Sequence, residues 1–276
     1  MSRVRLGAVG YLNARPLVFR LDRHPRFDLR LDWPSRCAAL LHEGAIDLGL
    51  IPSIEYLRPP DSARGPHAYR IVPDLAVASR GAVASVAIFT TRPMEDVRTL
   101  ALDTSSRTSV ALTRVLCARV FHIDPALTPI GPDLSEMLAS CDAAVLIGDK
   151  ALFVDAGPMR IDGREVVVEK IDLGEFWFRQ TGLPFVFAFW AGRAGAVSPA
   201  DVEALQQARD AAMLVPETVA AEYFPDQPEL QPRATSYLRD NIRYHLGDDE
   251  RAGLELFYRY AAEAGVVTAA EPLRFF

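Results

Sequence analysis

Between Phe27 and Ile51 the chain spells a strand, a helix and a second strand with almost nothing between them, and that compression leaves few ways to fold. FDLRLDW alternates apolar and polar residues as a half-buried strand does. Pro34 and Ser35 then open a helix, with Ser35 expected as its N-cap, and RCAALLHEG closes it on Gly44. AIDLGLI follows at once as a buried strand. A strand, helix and strand joined this tightly form a right-handed crossover, so the expected fold class is α/β with mainly parallel sheets.

In such a sheet ligands bind where the strands end. The first strand, read from Val4, Leu6 and Ala8 with the small Gly7 and Gly10, stops abruptly and gives way to YLNARPLV. Tyr11 and Asn13 are therefore expected at the mouth of a cleft. Asn13 brings an amide donor pair and a carbonyl acceptor, or else supports a turn, and Pro16 suits the first turn of a helix. Ser53 opens the loop after the strand that ends near Ile51.

The 276 residues are 50% hydrophobic and 24% charged, enough for a large core and two modest domains. A net charge of -6 leaves no global basic field, which excludes nucleic acid and an anionic membrane as the main partner. Any anionic ligand must be held by local groups. Cys37, Cys117 and Cys141 are scattered without CxxC spacing, so reduced cytoplasmic thiols are expected and no zinc site. The start MSRVRLGAVGYLNARP holds no apolar export segment, so an exported receptor is not expected.

Gly65–Arg80 reads as short and turn-rich. Beyond it, Ala82–Thr91 and Leu183–Gly192 form two strand-like stretches of the same length, expected to cross together as hinge and cleft floor. Ser85 is the lone serine of the first stretch. This predicts two lobes, residues 1–88 with 188–276 and an inserted 89–187, with the ligand cleft between them. The insert is expected to hold strands at Thr99–Asp103, Ala143–Gly148 and Val166–Ile171 and a helix at Thr108–Phe121. Ser198 and Pro199 start a helix after it, and further helices are expected at Pro216–Tyr223, Pro232–Leu246 and Asp248–Ala264. The apolar tail ending LRFF packs internally or on a second copy, so a homo-oligomer is compatible with the sequence.

The densest local chemistry is TLALDTSSRTSVALTRVL, residues 99–116. A strand ends at Leu102, and Ser106, Arg107, Thr108 and Ser109 lead into a helix. Free N–H groups, hydroxyls and a guanidinium at a helix start favour a carboxylate or phosphate, and the donors outnumber what one cap requires. Gly148 and Asp149 open another helix, where Asp149 is expected to cap and Gly148 lets a ligand approach the backbone. Trp177, Phe178, Thr181 and Phe185 belong to the core or wall a cyclic ligand. None of the five histidines falls in a metal or triad spacing, and neither GxSxG nor GxGxxG occurs.

Leu41, Gly44 and Asp47 resemble a signature of the type II periplasmic-binding-protein fold. More specifically, GYLNARPL (10–17), GLIPSIEY (49–56), GAVASVAIF (81–89), LDTSSRTS (102–109) and VLIGDKAL (145–152) resemble the chorismate dehydratase family of the futalosine route to menaquinone. The likeness covers essentially the whole chain. It implies a two-lobed fold of that type, a cytoplasmic lyase without cofactor or metal, and chorismate, a small dicarboxylate, as partner. It also implies Asn13 and Ser85 as catalytic, and Tyr11, Ser53, Ser106, Arg107, Thr108, Ser109, Gly148 and Asp149 as substrate-binding. The related 1,4-dihydroxy-6-naphthoate synthase typically opens with a CPND-type loop and carries a histidine near the second-lobe helix start, where this chain has YLN and Gly148-Asp149. That enzyme and a non-catalytic small-anion binder are the alternatives.

Overall fold

The computed structural model describes residues 3–65 and 68–276. In chain order the elements are β1 (Val4–Val9), β2 (Phe27–Asp32), α1 (Pro34–Glu43), β3 (Leu48–Pro52), β4 (Tyr69–Ser79), β5 (Val86–Thr90) and β6 (Thr99–Asp103). Then come α2 (Thr108–Leu116), β7 (Ala126–Ile130), α3 (Leu134–Ser140), β8 (Ala143–Ile147), α4 (Gly148–Leu152), β9 (Gly157–Ile161), β10 (Arg164–Asp172) and α5 (Leu173–Thr181). β11 (Phe185–Arg193), α6 (Pro199–Met213), α7 (Pro216–Tyr223), α8 (Gln231–Ser236) and α9 (Asp248–Glu263) complete the chain.

Two sheets divide these strands, one in the order β2-β1-β3-β11-β4 and one in the order β7-β6-β8-β5-β10-β9. The crossover read from residues 27–51 is present: β1 pairs in parallel with both β2 and β3, with α1 spanning them. α1 starts on Pro34 with Trp33 as its N-cap, so Ser35 lies inside the first turn instead of capping it. Gly44 closes the helix at φ 74°, a conformation that glycine adopts without a Cβ clash.

The sheets are mixed rather than mainly parallel. β11 runs antiparallel to β3 and β4, and β5 runs antiparallel to β8 and β10. No crossover helix returns the chain to the same end of a sheet at these points, because β5 and β11 are each entered from the other sheet. They are not partners of one another either, and the expected borders at 88/89 and 187/188 fall inside them. Periodicity announces a strand but not its neighbour. The chain passes between the sheets in the loop before β5 and through α5. Asp172 ties the two passages together, accepting from Val83 N–H at 3.0 Å, Ala84 N–H at 2.6 Å and Glu175 N–H at 2.9 Å. Gly174 permits the close approach, since a Cβ there would stand 2.5 Å from Ser79 Oγ.

Of residues 65–80, expected to be turn-rich, Tyr69–Ser79 form the eleven-residue β4, and residues 66 and 67 lie outside those described. Its pairing with β11 slips twice and Asp74 has φ 59°, so no simple alternation survives in its sequence. The helix expected to reach Leu246 ends at Asn241, after which Arg243 and Ala78 exchange two backbone hydrogen bonds. Ser198 and Asp201 form a full capping box at α6, with Pro199 first in the helix. Trp177 and Phe185 pack edge-on with Phe257 and belong to the core. The three cysteines are free and buried. Among the described residues no helix is long and apolar enough to cross a membrane.

Candidate active site

The parallel strands β1, β3, β6 and β8 end at one interface between the sheets, and a cavity lies there whose empty space, counting the part that opens to solvent, is about 510 Å³. Leu50, Val77, Val86 and Phe187 supply apolar wall, while Tyr11, Asn13, Ser106, Arg107, Thr108, Ser109 and Gly148 supply the polar lining. An apolar surface with a few convergent polar groups is what a small cyclic acid requires.

On the β6 side the loop is folded from within. The buried carboxylate of Asp103 accepts from Ser105 N–H at 2.8 Å and Ser105 Oγ at 2.6 Å, curling the chain toward α2. Ser106, one residue before the N-cap Arg107, accepts at its Oγ from Ser109 N–H at 3.3 Å and so satisfies one free donor of the first turn. Thr108 Oγ1 accepts from Ile54 N–H at 3.3 Å and lies 3.4 Å from Ser53 Oγ, so its hydroxyl is committed across the interface. Arg107 pairs with Glu55, which is almost fully buried and also accepts from Arg58 at 3.3 Å. Glu55 and Arg58 line a neighbouring pocket, so the one charged residue in the lining of this cavity is Arg107. Together with the first N–H groups of α2, which have no partner inside the helix, it suits a carboxylate.

On the β1 side Tyr11 and Asn13 are carried by a 3-10 turn, Leu12–Val18, in which Pro16 is the fifth residue rather than part of a first helical turn. The Tyr11 hydroxyl lies 3.1 Å from Ser105 Oγ, and burial pushes its pKa up to about 12, so it stays a neutral phenol. Its ring rests on Gly148. That residue has φ 68°, and a Cβ there would meet the ring carbons at 3.1 Å, so both space and backbone call for glycine.

Three expected site residues stand behind the cavity wall. Ser53 is fully buried and donates its hydroxyl to Val186 O at 2.8 Å. Ser85 is buried with its Oγ 2.6 Å from the Tyr237 hydroxyl, and its carbonyl accepts from Gly148 N–H at 2.8 Å. Asp149 does not cap its own helix, whose N-cap is Ile147. Its carboxylate accepts instead from Leu12 N–H at 3.2 Å and from the Tyr223 hydroxyl, both in the other half of the molecule. Burial holds that carboxyl above the usual carboxylate range. Among the described residues no cluster of His, Cys, Asp or Glu is arranged to hold a metal ion.

A profile of the family described as menaquinone biosynthesis matches residues 4–263. This chain belongs to the menaquinone biosynthesis family. It is 34% identical over 262 residues to a chorismate dehydratase of Thermus thermophilus, covering 91% of this chain and 93% of that one. Among solved structures, an Archaeoglobus fulgidus protein shares the fold with a TM-score of 0.69 at 15% identity, covering 96% of this chain and 98% of its own. The periplasmic aliphatic sulphonate binding protein of Escherichia coli does so with a TM-score of 0.62 at 14% identity, covering 100% and 94%. The fold is thus the periplasmic-binding-protein type.

For this member of the menaquinone biosynthesis family, the residues missed by sequence reasoning are Glu55, Tyr223 and Tyr237. Glu55 left one signal, a lone acid in the otherwise apolar and aromatic stretch Ile54–Leu57. The two tyrosines left none, since each acts on a residue far away in the chain.

Proposed function

We propose that this chain is a chorismate dehydratase, a lyase that eliminates water from chorismate to give 3-(1-carboxyvinyloxy)benzoate in the cytoplasm without a cofactor. The observation that carries the reading is the pairing of a chorismate dehydratase relative spanning nearly the whole chain with a cavity that is apolar along its sides and has Arg107 as the one charged residue of its lining. The two sheets are taken as two lobes that hinge at the passages joined by Asp172.

The ring of the substrate fits the apolar wall, and one carboxylate is assigned to Arg107, Ser109 and the start of α2. A charge-assisted hydrogen bond contributes about 1.5–3 kcal/mol, against roughly 4–15 kcal/mol lost on association, so several contacts from both halves are needed. In the reaction a ring C–H bond gives up its proton and the electron pair moves into the ring. The neighbouring C–O bond then breaks, and hydroxide with that proton makes water. Aromatisation drives the change. Charge spreads onto the ring carboxylate as the proton leaves, and fixed donors at Arg107 and the start of α2 stabilise it there. Asn13, the polar group on the opposite wall, is assigned to orient the departing hydroxyl or the enolpyruvyl group. Neither Asn13 nor Ser85 is a base near neutral pH, and a carboxylate of the substrate is left to take the proton.

The test is to incubate the protein with chorismate alone and follow the product by chromatography and mass. Turnover that falls by about 100-fold or more in Asn13→Ala supports the assignment. Binding without product points to an anion receptor, and neither binding nor product points to the naphthoate synthase reaction.

A further inference from the structure

A second recess adjoins the candidate active cavity, and Ser106 and Arg107 line both. Its empty space, counting the part that opens to solvent, is about 690 Å³. The turn after β3 contributes Glu55 and Arg58 to its wall, and α2 contributes Arg107 at its start and Arg114 two turns further on, on the same face. His42 joins them from the last turn of α1.

The charges in this recess do not balance. Glu55 is almost fully buried, and its two carboxylate oxygens are taken by Arg107 and, at 3.3 Å, by Arg58. Arg114 is exposed and has no ion pair among the described residues. Burial lowers the His42 pKa, which leaves its ring neutral and the positive charge on the guanidiniums. Three guanidiniums therefore share one carboxylate, an excess of two positive charges.

Their donors are not used up either. A guanidinium has five N–H donors, of which Arg107 gives one to Glu55, and Arg58 gives one to Glu55 and one to Val266 O at 3.1 Å. The Arg58 and Arg107 side chains are 39% and 37% exposed, so the remaining donors can be reached from solvent. Like charges gathered around a single acid repel one another, and an oxyanion among them relieves that repulsion while accepting the spare N–H groups.

We propose that this recess is a binding site for a small oxyanion of two negative charges, a phosphate or a dicarboxylate, held by Arg58, Arg107 and Arg114. The planar fork of a guanidinium matches the paired oxygens of either group. The site borders the substrate cavity through Arg107 but does not depend on the reaction assigned to that cavity. Arg58 belongs to one half of the molecule and Arg107 and Arg114 to the other, so the bound oxyanion bridges the halves beside the Glu55–Arg107 pair.

The experiment is calorimetric titration of the full chain with inorganic phosphate and, in parallel, with malonate, at one fixed ionic strength because exposed charges are screened by salt. Saturable binding of at least one of the two is expected, and the tighter one tells phosphate from dicarboxylate. Arg107 lines both cavities, so the deciding variants are at Arg114, which lines only the recess. Arg114→Ala is expected to raise Kd about five-fold, and Arg114→Glu to abolish saturable binding. Arg164→Ala removes the same charge from the exposed β9–β10 hairpin at the far edge of the six-stranded sheet and is expected to leave Kd within about 1.5-fold. Absence of saturable binding by both anions, an unchanged Kd in Arg114→Ala, or an equal loss in Arg164→Ala overturns the proposal.

Discussion

Two helices begin at the same edge of the six-stranded sheet, α2 past the end of β6 and α4 past the end of β8, and they treat their polar residues in opposite ways. At α2 the acid, Asp103, is turned back into the loop, and Ser106, Arg107, Thr108 and Ser109 line the cavity. At α4 the acid, Asp149, reaches across the interface to Leu12 N–H and Tyr223, and only Gly148 is left against the cavity, beneath Tyr11. One start is open to the cavity and the other ties the two halves of the protein together. The same residue types at a helix start thus line a cavity or bridge the two halves according to what stands opposite.

Arg107→Ala is the hardest test of the α2 side. Losing a charge-assisted contact worth about 1.5–3 kcal/mol should lower kcat/KM for chorismate by about 10–100-fold. A variant with unchanged kcat/KM would show that Arg107 serves only the Glu55 pair. Gly148→Ala tests the α4 side: an L-residue forced to φ 68° costs about 1–2 kcal/mol, and the new methyl presses on Tyr11. Thermal unfolding should fall by a few degrees, roughly 2–4 °C per kcal/mol for a chain of this size. An unaltered Tm would mean that Tyr11 is free to move off the helix start.

Ser109→Ala removes a single neutral donor from the lining and should weaken kcat/KM by about 2–12-fold, the equivalent of roughly 0.5–1.5 kcal/mol. A loss as large as that of Arg107→Ala would shift the centre of carboxylate binding from the guanidinium to the hydroxyl. The smallest effect is expected from Asp149→Asn and is seen only against pH. Because burial raises the Asp149 pKa, the folded state binds its proton more readily than the unfolded chain does. Stability from this group is therefore greatest below the ordinary carboxylate range and declines as pH rises from there through the raised folded value. Asp149→Asn should flatten that decline in urea unfolding measured from pH 4 to 7. Parallel curves for the two proteins would remove Asp149 from the pH response.

Much of this was legible in the residues. The strand-helix-strand unit of 27–51, the donor-rich loop before α2 and the helix start at Ser198 all stand where the chain indicated, because caps, turns and periodicities arise from interactions within a few residues. The same locality explains the misreadings. β4 carries bulges that erase its alternation, β5 and β11 announce themselves as strands without naming their partners, and Asp149 resembles any acid at a helix start.

The sequence by itself determined the α/β class, the family and the loops from which a site could be built. Tertiary structure alone decided which of the polar residues face the cavity, since Ser53, Ser85 and Asp149 have partners 133, 152 and 137 residues away in the chain. A side chain's neighbours at such separations depend on how the two sheets meet, and no short-range pattern encodes that.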